Sequence, residues 1–282
     1  MSGIIVYQGE TGAYSHLACQ NYFPDMRPMA CRSFSQAFAK IRAGEAQLAM
    51  IPVENTVAGR VSDVYHLLPE GGIYITGEHY LPVHHQLLGV PGAKLSDIKI
   101  ARSHPMALGQ VRKRLEDLGI TPQNDVDTAG AARAVSELGD PSIGAIASTL
   151  AGETYGLQVL AKDIEDAAHN TTRFIVLSNT PLRLPKGEAP VVTSFVFKVR
   201  NVPSALFKAL GGFATNGVNM TKLESYMVDG SFWATQFYAD VEGHPDDDAM
   251  KHAMDELYFF SDTVLMLGTY PANAARLSKD KS

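Results

Sequence analysis

The 282-residue chain has two cysteines and one tryptophan, and Lys and Arg together number 24 against 30 Asp and Glu. Two thiols, Cys19 and Cys31, make no disulfide framework, and they read as the reduced cysteines of a cytoplasmic protein. No apolar run approaches the ~20 residues of a membrane span. The opening residues, Met1-Ser2-Gly3-Ile4-Ile5-Val6, carry no basic segment before an apolar one, so no secretory signal is expected. A net charge of −6 argues against a generic nucleic-acid surface. The nucleotide fingerprints G-x-G-x-x-G and the P-loop are absent, as is the G-x-S-x-G elbow of hydrolases. His79, His84 and His85 fit no zinc spacing, and the cysteines lie far upstream, so neither metal nor cofactor is expected. What is present is a globular composition, 45% hydrophobic and 19% charged, long enough at ~150 residues per domain for two domains.

The sharpest change of composition falls where Pro181, Pro185 and Pro190 flank Lys186, Gly187 and Glu188. No periodic pattern survives such a stretch, so residues 181–190 read as a linker. Residues 1–180 and 191–275 are then separate domains, and 276–282 is a polar tail. The first part alternates strand and helix signals, which argues an α/β fold with largely parallel sheets. Strands are expected at 4–7, 46–53, 98–102, 125–127 and 143–147, and helices at 15–23, 34–41, 106–118 and 131–138. The stretches 38–51 and 132–146 both read helix, glycine, short turn, buried strand, a weak internal duplication. Two similar lobes imply a cleft, where small ligands bind.

The second part has a different grammar. Strands at 191–199, 222–228, 231–241 and 263–270, with helices from Pro203 and from Asp246-Asp247-Asp248, give the order βαββαβ, a ferredoxin-like arrangement. Asp229-Gly230 is the expected hairpin turn.

Four blocks carry polar groups at strand ends. Gly9-Glu10-Thr11-Gly12 joins a strand to a helix, and it is either a structural turn or a cradle of amides for an anion. Glu54-Asn55-Thr56 follows a buried strand, at the carboxyl end where open sheets bind ligands, although Glu54 also reads as a capping acid. Ser103-His104-Pro105 holds the matching place downstream, with Gln110 two turns on; here a helix cap and a packed or solvent-facing histidine are the plain reading. Asn170-Thr171-Thr172-Arg173-Phe174 supplies a hydroxyl beside a guanidinium suited to a carboxylate. In an extended chain Thr172 and Arg173 point to opposite faces, so both touch one ligand only if the segment bends.

In this order, the blocks Gln8 to Ser15, Ile51 to Gly59, Ser103 to Gln110 and Asn170 to Phe174 resemble the prephenate dehydratase family over residues 4–272. The resemblance implies a two-lobed catalytic domain like type II periplasmic binding proteins, followed by an ACT regulatory domain. With no chorismate mutase-like segment before the first block, it implies a monofunctional enzyme. The implied reaction turns prephenate into phenylpyruvate, water and carbon dioxide for phenylalanine biosynthesis, with feedback by L-phenylalanine and homodimers or homotetramers paired through ACT domains. Carried onto this chain, Thr172 is the catalytic threonine, and Glu54, Asn55, Ser103 and Gln110 are active-site residues. Thr11, Ser15, Thr56, His104, Arg173 and Phe174 are the expected substrate contacts. Asn201, Ser204, Ala205, Leu206, Leu223, Glu224 and Ser225 are the expected effector contacts. The family's Gly-Ala-Leu-Val reads Ser204-Ala205-Leu206-Phe207 here, and Glu-Ser-Arg-Pro reads Glu224-Ser225-Tyr226-Met227. Arogenate as substrate, or a non-catalytic amino-acid sensor, are the alternative readings.

Overall fold

A computed structural model describes residues 3–167, 169–187, 190–200, 202–227 and 236–277. The chain divides into two compact units, residues 1–61 with 79–174, and residues 62–78 with 175–282. The proline-rich stretch at 181–190 therefore lies inside the second unit, and its described residues form neither helix nor strand.

In chain order the elements are β1 (Ile4–Gln8), α1 (Tyr14–Tyr22), β2 (Arg27–Cys31), α2 (Phe34–Arg42), β3 (Leu48–Asn55), β4 (Gly59–Arg60) and α3 (Ser62–Leu67). Next come β5 (Tyr74–Pro82), β6 (Gln86–Gly89), β7 (Ile100–Ser103), α4 (Pro105–Gln110), α5 (Arg112–Leu118) and β8 (Thr121–Asn124). After these stand α6 (Thr128–Leu138), β9 (Ile143–Ala147), α7 (Thr149–Tyr155), β10 (Gln158–Ala161) and β11 (Thr171–Ser178). The rest is β12 (Val191–Val199), α8 (Ala205–Thr215), β13 (Met220–Tyr226), β14 (Gln236–Glu242), α9 (Asp248–Phe260), β15 (Ser261–Pro271) and α10 (Ala274–Leu277).

Two sheets share one plan. The first runs β2-β1-β3-β11-β5, and the second, read from its other end, runs β8-β7-β9-β6-β10. In each, a central strand pairs in parallel with both neighbours, β1 with β2 and β3, and β7 with β8 and β9. The helix before each third strand ends at a left-handed glycine, Gly44 (φ 70°) after α2 and Gly139 (φ 67°) after α6. This is the duplicated unit of the sequence, where a residue without Cβ ends the helix at no steric cost. The apolar faces follow the same period: Ala37, Phe38 and Ile41 of α2 are buried, as are Ala131, Ala132 and Val135 of α6. The sheets are mixed rather than largely parallel, because β6 runs antiparallel to β9 and β10.

Three expectations need correction. The strand near 125–127 is instead β8, and Asp127 caps α6 by accepting from Gly130 N at 2.7 Å. The helix over 106–118 breaks at Val111 (φ −122°) into α4 and α5. The strand expected over 46–53 begins at Leu48 and runs on past Pro52 to Asn55, since Pro52 removes only one amide from the ladder.

In the second unit, β13-β14-β12-β15 form an antiparallel sheet. Helices α8 and α9 cover it around Phe195, Phe197, Phe213, Met250 and Leu257. This is the βαββαβ order read from the sequence. The Asp229-Gly230 turn and Asn201 lie outside the described residues. Among the described residues no helix is long and apolar enough to cross a membrane.

Candidate functional site

The site grows from a tight turn. Strands β3 and β4 pair antiparallel, with Asn55 opposite Gly59. Asn55 Oδ1 accepts from the turn amides Val57 N at 2.9 Å and Ala58 N at 2.8 Å. Such side-chain capture of following amides is why Asn begins turns. It also fixes the carboxamide: amides only donate, so oxygen faces them and Nδ2 faces away. Asn55 Nδ2 donates to Asn170 Oδ1 at 2.8 Å and to Thr172 Oγ1 at 2.9 Å.

The contacts between β3 and β11 run in opposite senses. Thr56 N donates to Thr171 O (2.9 Å), Asn55 meets Thr172, and Glu54 Oε1 accepts from Arg173 at 3.1 Å. An antiparallel pair with alternating faces produces this series. Thr172 and Asn55 share one face, Arg173 and Glu54 the other. The segment does not bend, so Thr172 and Arg173 point apart. The Arg173 side chain is only 2% exposed and Glu54 33%. Arg173 is thus an interior partner of Glu54. Arg173→Lys keeps the charge but loses the planar fork. We expect it to lower unfolding stability on the order of 1–3 kcal/mol, read by denaturant melts, with KM held; a raised KM at unchanged stability would place Arg173 on the substrate.

From Asn170 the hydrogen bonds cross to the second lobe. Asn170 Nδ2 donates to Gln110 Oε1 at 3.0 Å. Gln110 Oε1 also meets His85 Nε2 at 2.7 Å, and His85 Nδ1 meets Tyr14 OH at 2.8 Å. Glu165 Oε2 accepts from His85 N at 2.9 Å, and its Oε1 pairs with His84 Nδ1 at 2.8 Å. Burial lowers the pKa of His85. Burial, and then the nearby Glu165, hold Tyr14 well above the usual phenol range. Both are neutral near pH 7.

Thr56 is tied to the backbone, its Oγ1 donating to His169 O at 2.6 Å. Ser103 stands inside the second lobe, its Oγ donating to Ile146 O at 2.6 Å and the residue fully buried. His104 caps α4, Nδ1 accepting from Met106 N at 3.2 Å. Phe174 and Ser15 are buried. Thr11 is exposed, and its carbonyl accepts from Tyr155 OH at 2.8 Å. Two amides of the glycine turn are taken within the fold: Gly9 N donates to Cys31 O and Gly12 N to His16 Nδ1, both at 3.0 Å. Gly12 (φ 92°) lets α7 approach, for a Cβ there would lie 2.8 Å from Ala151 Cα.

Among the effector candidates, Ser204 (φ 64°) precedes α8 and Ala205 is buried. Leu206 packs against the sheet core, and Leu223 is 38% exposed. Glu224 Oε1 accepts from Lys222 Nζ at 3.1 Å, and Ser225 sits opposite Phe237 in the sheet. The three histidines do not assemble. His79 stacks on Tyr22 at 4.0 Å, whereas His84, Asp163 and Glu165 place ligand atoms within 4.8 Å of one another. Sequence reasoning left Tyr14, His85 and Asn170 out of the site. Tyr14 and Asn170 stand inside the quoted blocks, and the His84-His85 pair was weighed only against zinc spacing.

The chain is 50% identical over 97% of both chains to a protein of Komagataeibacter europaeus named bifunctional N-acyl-homoserine lactone acylase/prephenate dehydratase. Its identity to the Arabidopsis thaliana arogenate dehydratase/prephenate dehydratase 1, chloroplastic, is 39%, over 96% of this chain and 73% of that one. The solved prephenate dehydratase of Arthrobacter aurescens, in complex with L-Phe, superposes with a TM-score of 0.88 at 30% identity, covering 95% of this chain and 90% of that one. Residues 5–181, which hold all four blocks and the bond chain from Asn55 to Tyr14, match the prephenate dehydratase family model, and the chain belongs to that family.

Proposed function

We propose that the chain catalyses the decarboxylating dehydration of prephenate to phenylpyruvate. The observation that carries this reading is the state of the Thr172 hydroxyl. Its oxygen accepts from Asn55 Nδ2, an amide whose orientation the turn fixes, so its hydrogen remains to be donated. Prephenate carries a ring carboxylate and, across the ring, a hydroxyl. When carbon dioxide leaves, the electron pair of that bond moves through the diene and the ring C–O bond breaks. The oxygen departs as water once it takes a proton. Thr172 O–H donates to the charge growing on that oxygen, relaying a proton that solvent replaces. Aromatisation supplies the driving force. Loss of the ring carboxylate is helped where closing lobes strip its water. Gln110, half-buried at the end of the bonds from Asn170, is assigned the part of an amide donor to substrate, whereas the burial of Ser103 and Arg173 argues for supporting parts.

The test is to incubate purified protein with prephenate and, separately, arogenate, following phenylpyruvate or phenylalanine. Turnover of prephenate supports the reading, preference for arogenate changes the substrate, and consumption of neither overturns it in favour of a sensor. The name of the Komagataeibacter relative favours a second activity, hydrolysis of N-acyl-homoserine lactones. Thr172 meets an amide donor rather than a base, which does not activate it as a nucleophile. Release of homoserine lactone, lost in the same preparation when Thr172 is replaced, would show otherwise.

We further propose that residues 191–275 act as an ACT domain binding phenylalanine between paired copies. The supports are the βαββαβ sheet with β13 and β15 at its edges, exposed Phe207 and Phe259, and the L-Phe complex of the Arthrobacter relative. Glu224 suits the ammonium group. Titrating phenylalanine should inhibit the wild type and inhibit Glu224→Ala at least tenfold less strongly, with equal uninhibited rates. Equal sensitivity would place the effector elsewhere.

A further inference from the structure

The carboxamide of Gln110 stands between two donors. His85 Nε2 lies 2.7 Å and Asn170 Nδ2 3.0 Å from its Oε1. The polarity of this arrangement follows from the backbone. Val57 N and Ala58 N fix oxygen on one side of Asn55; Asn55 Nδ2 therefore fixes oxygen in Asn170, and Asn170 Nδ2 fixes oxygen in Gln110. An amide oxygen cannot donate, so His85 Nε2 must carry hydrogen. In a neutral ring Nδ1 is then bare, and it faces Tyr14 OH at 2.8 Å. Tyr14 OH also lies 2.9 Å from His84 O. The carbonyl can only accept, so the single phenol hydrogen is shared between His84 O and the bare Nδ1.

We propose that Tyr14 and His85 are positioning residues: the amide chain from Asn55 holds His85 in its Nε2–H tautomer, Tyr14 supports it by sharing its hydrogen between Nδ1 and His84 O, and His85 with Asn170 turns the Gln110 amide so that its two N–H bonds face the substrate. This rests on the dehydratase reading for what the amide binds, but not for the lock itself. The alternative tautomer sets Nε2 against Gln110 Oε1, acceptor to acceptor. Rotating the amide cures that contact and creates another, amide N–H against Asn170 N–H. It also presents a carbonyl oxygen to a dianion. The lock therefore decides whether Gln110 attracts or repels substrate anion.

Among the described residues, the charged and titratable groups facing His85 are Glu165, His84 and Tyr14. Glu165 accepts from its backbone amide and favours the imidazolium; His84 opposes it, with Asp163 3.7 Å beyond His84; Tyr14 is neutral. Burial outweighs Glu165, so the ring stays neutral to lower pH than a free imidazole. Acidification that protonates Nδ1 leaves His84 O as the acceptor for Tyr14 and turns Nδ1 into a donor toward the phenol oxygen.

The experiment has two arms. Nitrogen NMR of the ¹⁵N-imidazole-labelled wild-type chain reads the tautomer directly. We expect Nε2–H at pH 7; an Nδ1–H ring or an imidazolium overturns the proposal whether or not the protein turns over prephenate. In the second arm, Tyr14→Phe should lower kcat/KM on the order of 10², with the melting temperature nearly held and the acid limb of the pH profile moved. His85→Gln, whose Nε2 can still donate to Gln110, should recover activity that His85→Leu loses, and without an acid limb. Equal loss in Gln and Leu variants, or wild-type kcat/KM in Tyr14→Phe, overturns the lock. If wild-type protein consumes neither prephenate nor arogenate, the dehydratase reading falls, and the tautomer measurement alone decides the lock.

Discussion

Replacing Thr172 by valine lowers kcat on the order of 10²–10³ and leaves KM within a few fold, the effect of removing one donor aimed at charge that exists only in the transition state. Valine keeps the branched shape. It leaves one Asn55 N–H without its acceptor, a cost of about 1–2 kcal/mol in a half-buried place, so the variant folds. Asn55→Asp makes the same point from the other side. The new carboxylate cannot donate, and it draws the Thr172 hydrogen onto itself, away from the substrate. Its kcat falls at least as far as that of Thr172→Val, since Asn55 also holds Asn170, and the double variant is no worse than Asn55→Asp alone. Steady-state rates with prephenate over the three variants check this. A valine variant with near-normal turnover would remove Thr172 from the chemistry, and losses that multiply would separate its part from that of Asn55.

The legible parts were those whose signal is local. β9 and β12 fall on the expected residues because a buried strand is a continuous apolar run, and α2 and α6 because their apolar residues keep helical spacing. The edge strands β2 and β8 were not legible. β2 is Arg-Pro-Met-Ala-Cys, and β8, Thr-Pro-Gln-Asn, is exposed at every residue. An edge strand needs neither apolar alternation nor every amide, so proline is tolerated and the period vanishes.

The site divides the same way. Alternation alone predicted that an extended chain parts Thr172 from Arg173. The strand is extended, and the partner of each is the adjacent residue of β3. His85 and Tyr14 meet across 71 positions, and no spacing rule reports such a contact. Ser103 shows the opposite limit. A serine at a strand end reads alike whether it faces a ligand or, as here, the carbonyl of Ile146 inside the lobe.

Arg276→Met destabilises the second unit by about 3–5 kcal/mol, the range for stranding buried charge. The side chains of Glu78 and Asp240 are fully buried, and Arg276, 12% exposed, joins them. Its Nε and Nη2 donate to the two oxygens of Glu78 at 2.6 and 2.9 Å, and Nη2 also donates to Asp240 Oδ2 at 3.1 Å. Asp240 Oδ1 accepts from Ser194 Oγ at 2.5 Å and Tyr238 OH at 2.6 Å. Asn273 N reaches Glu78 Oε1 at 3.2 Å, so the segment before α10 is tied to the same carboxylate. Two carboxylates thus share one guanidinium supplied by the last described helix. Methionine fills much of the arginine volume, so packing loss is small and the electrostatic loss is what the variant reads. Adding Glu78→Gln to Arg276→Met should recover part of the stability, because one buried charge goes with its partner. Recovery by Asp240→Asn should be separate and smaller, since Ser194 and Tyr238 still donate to that carboxyl. Denaturant melts of the single and paired variants give the ordering. An Arg276→Met chain as stable as wild type would show that other groups already compensate Glu78 and Asp240.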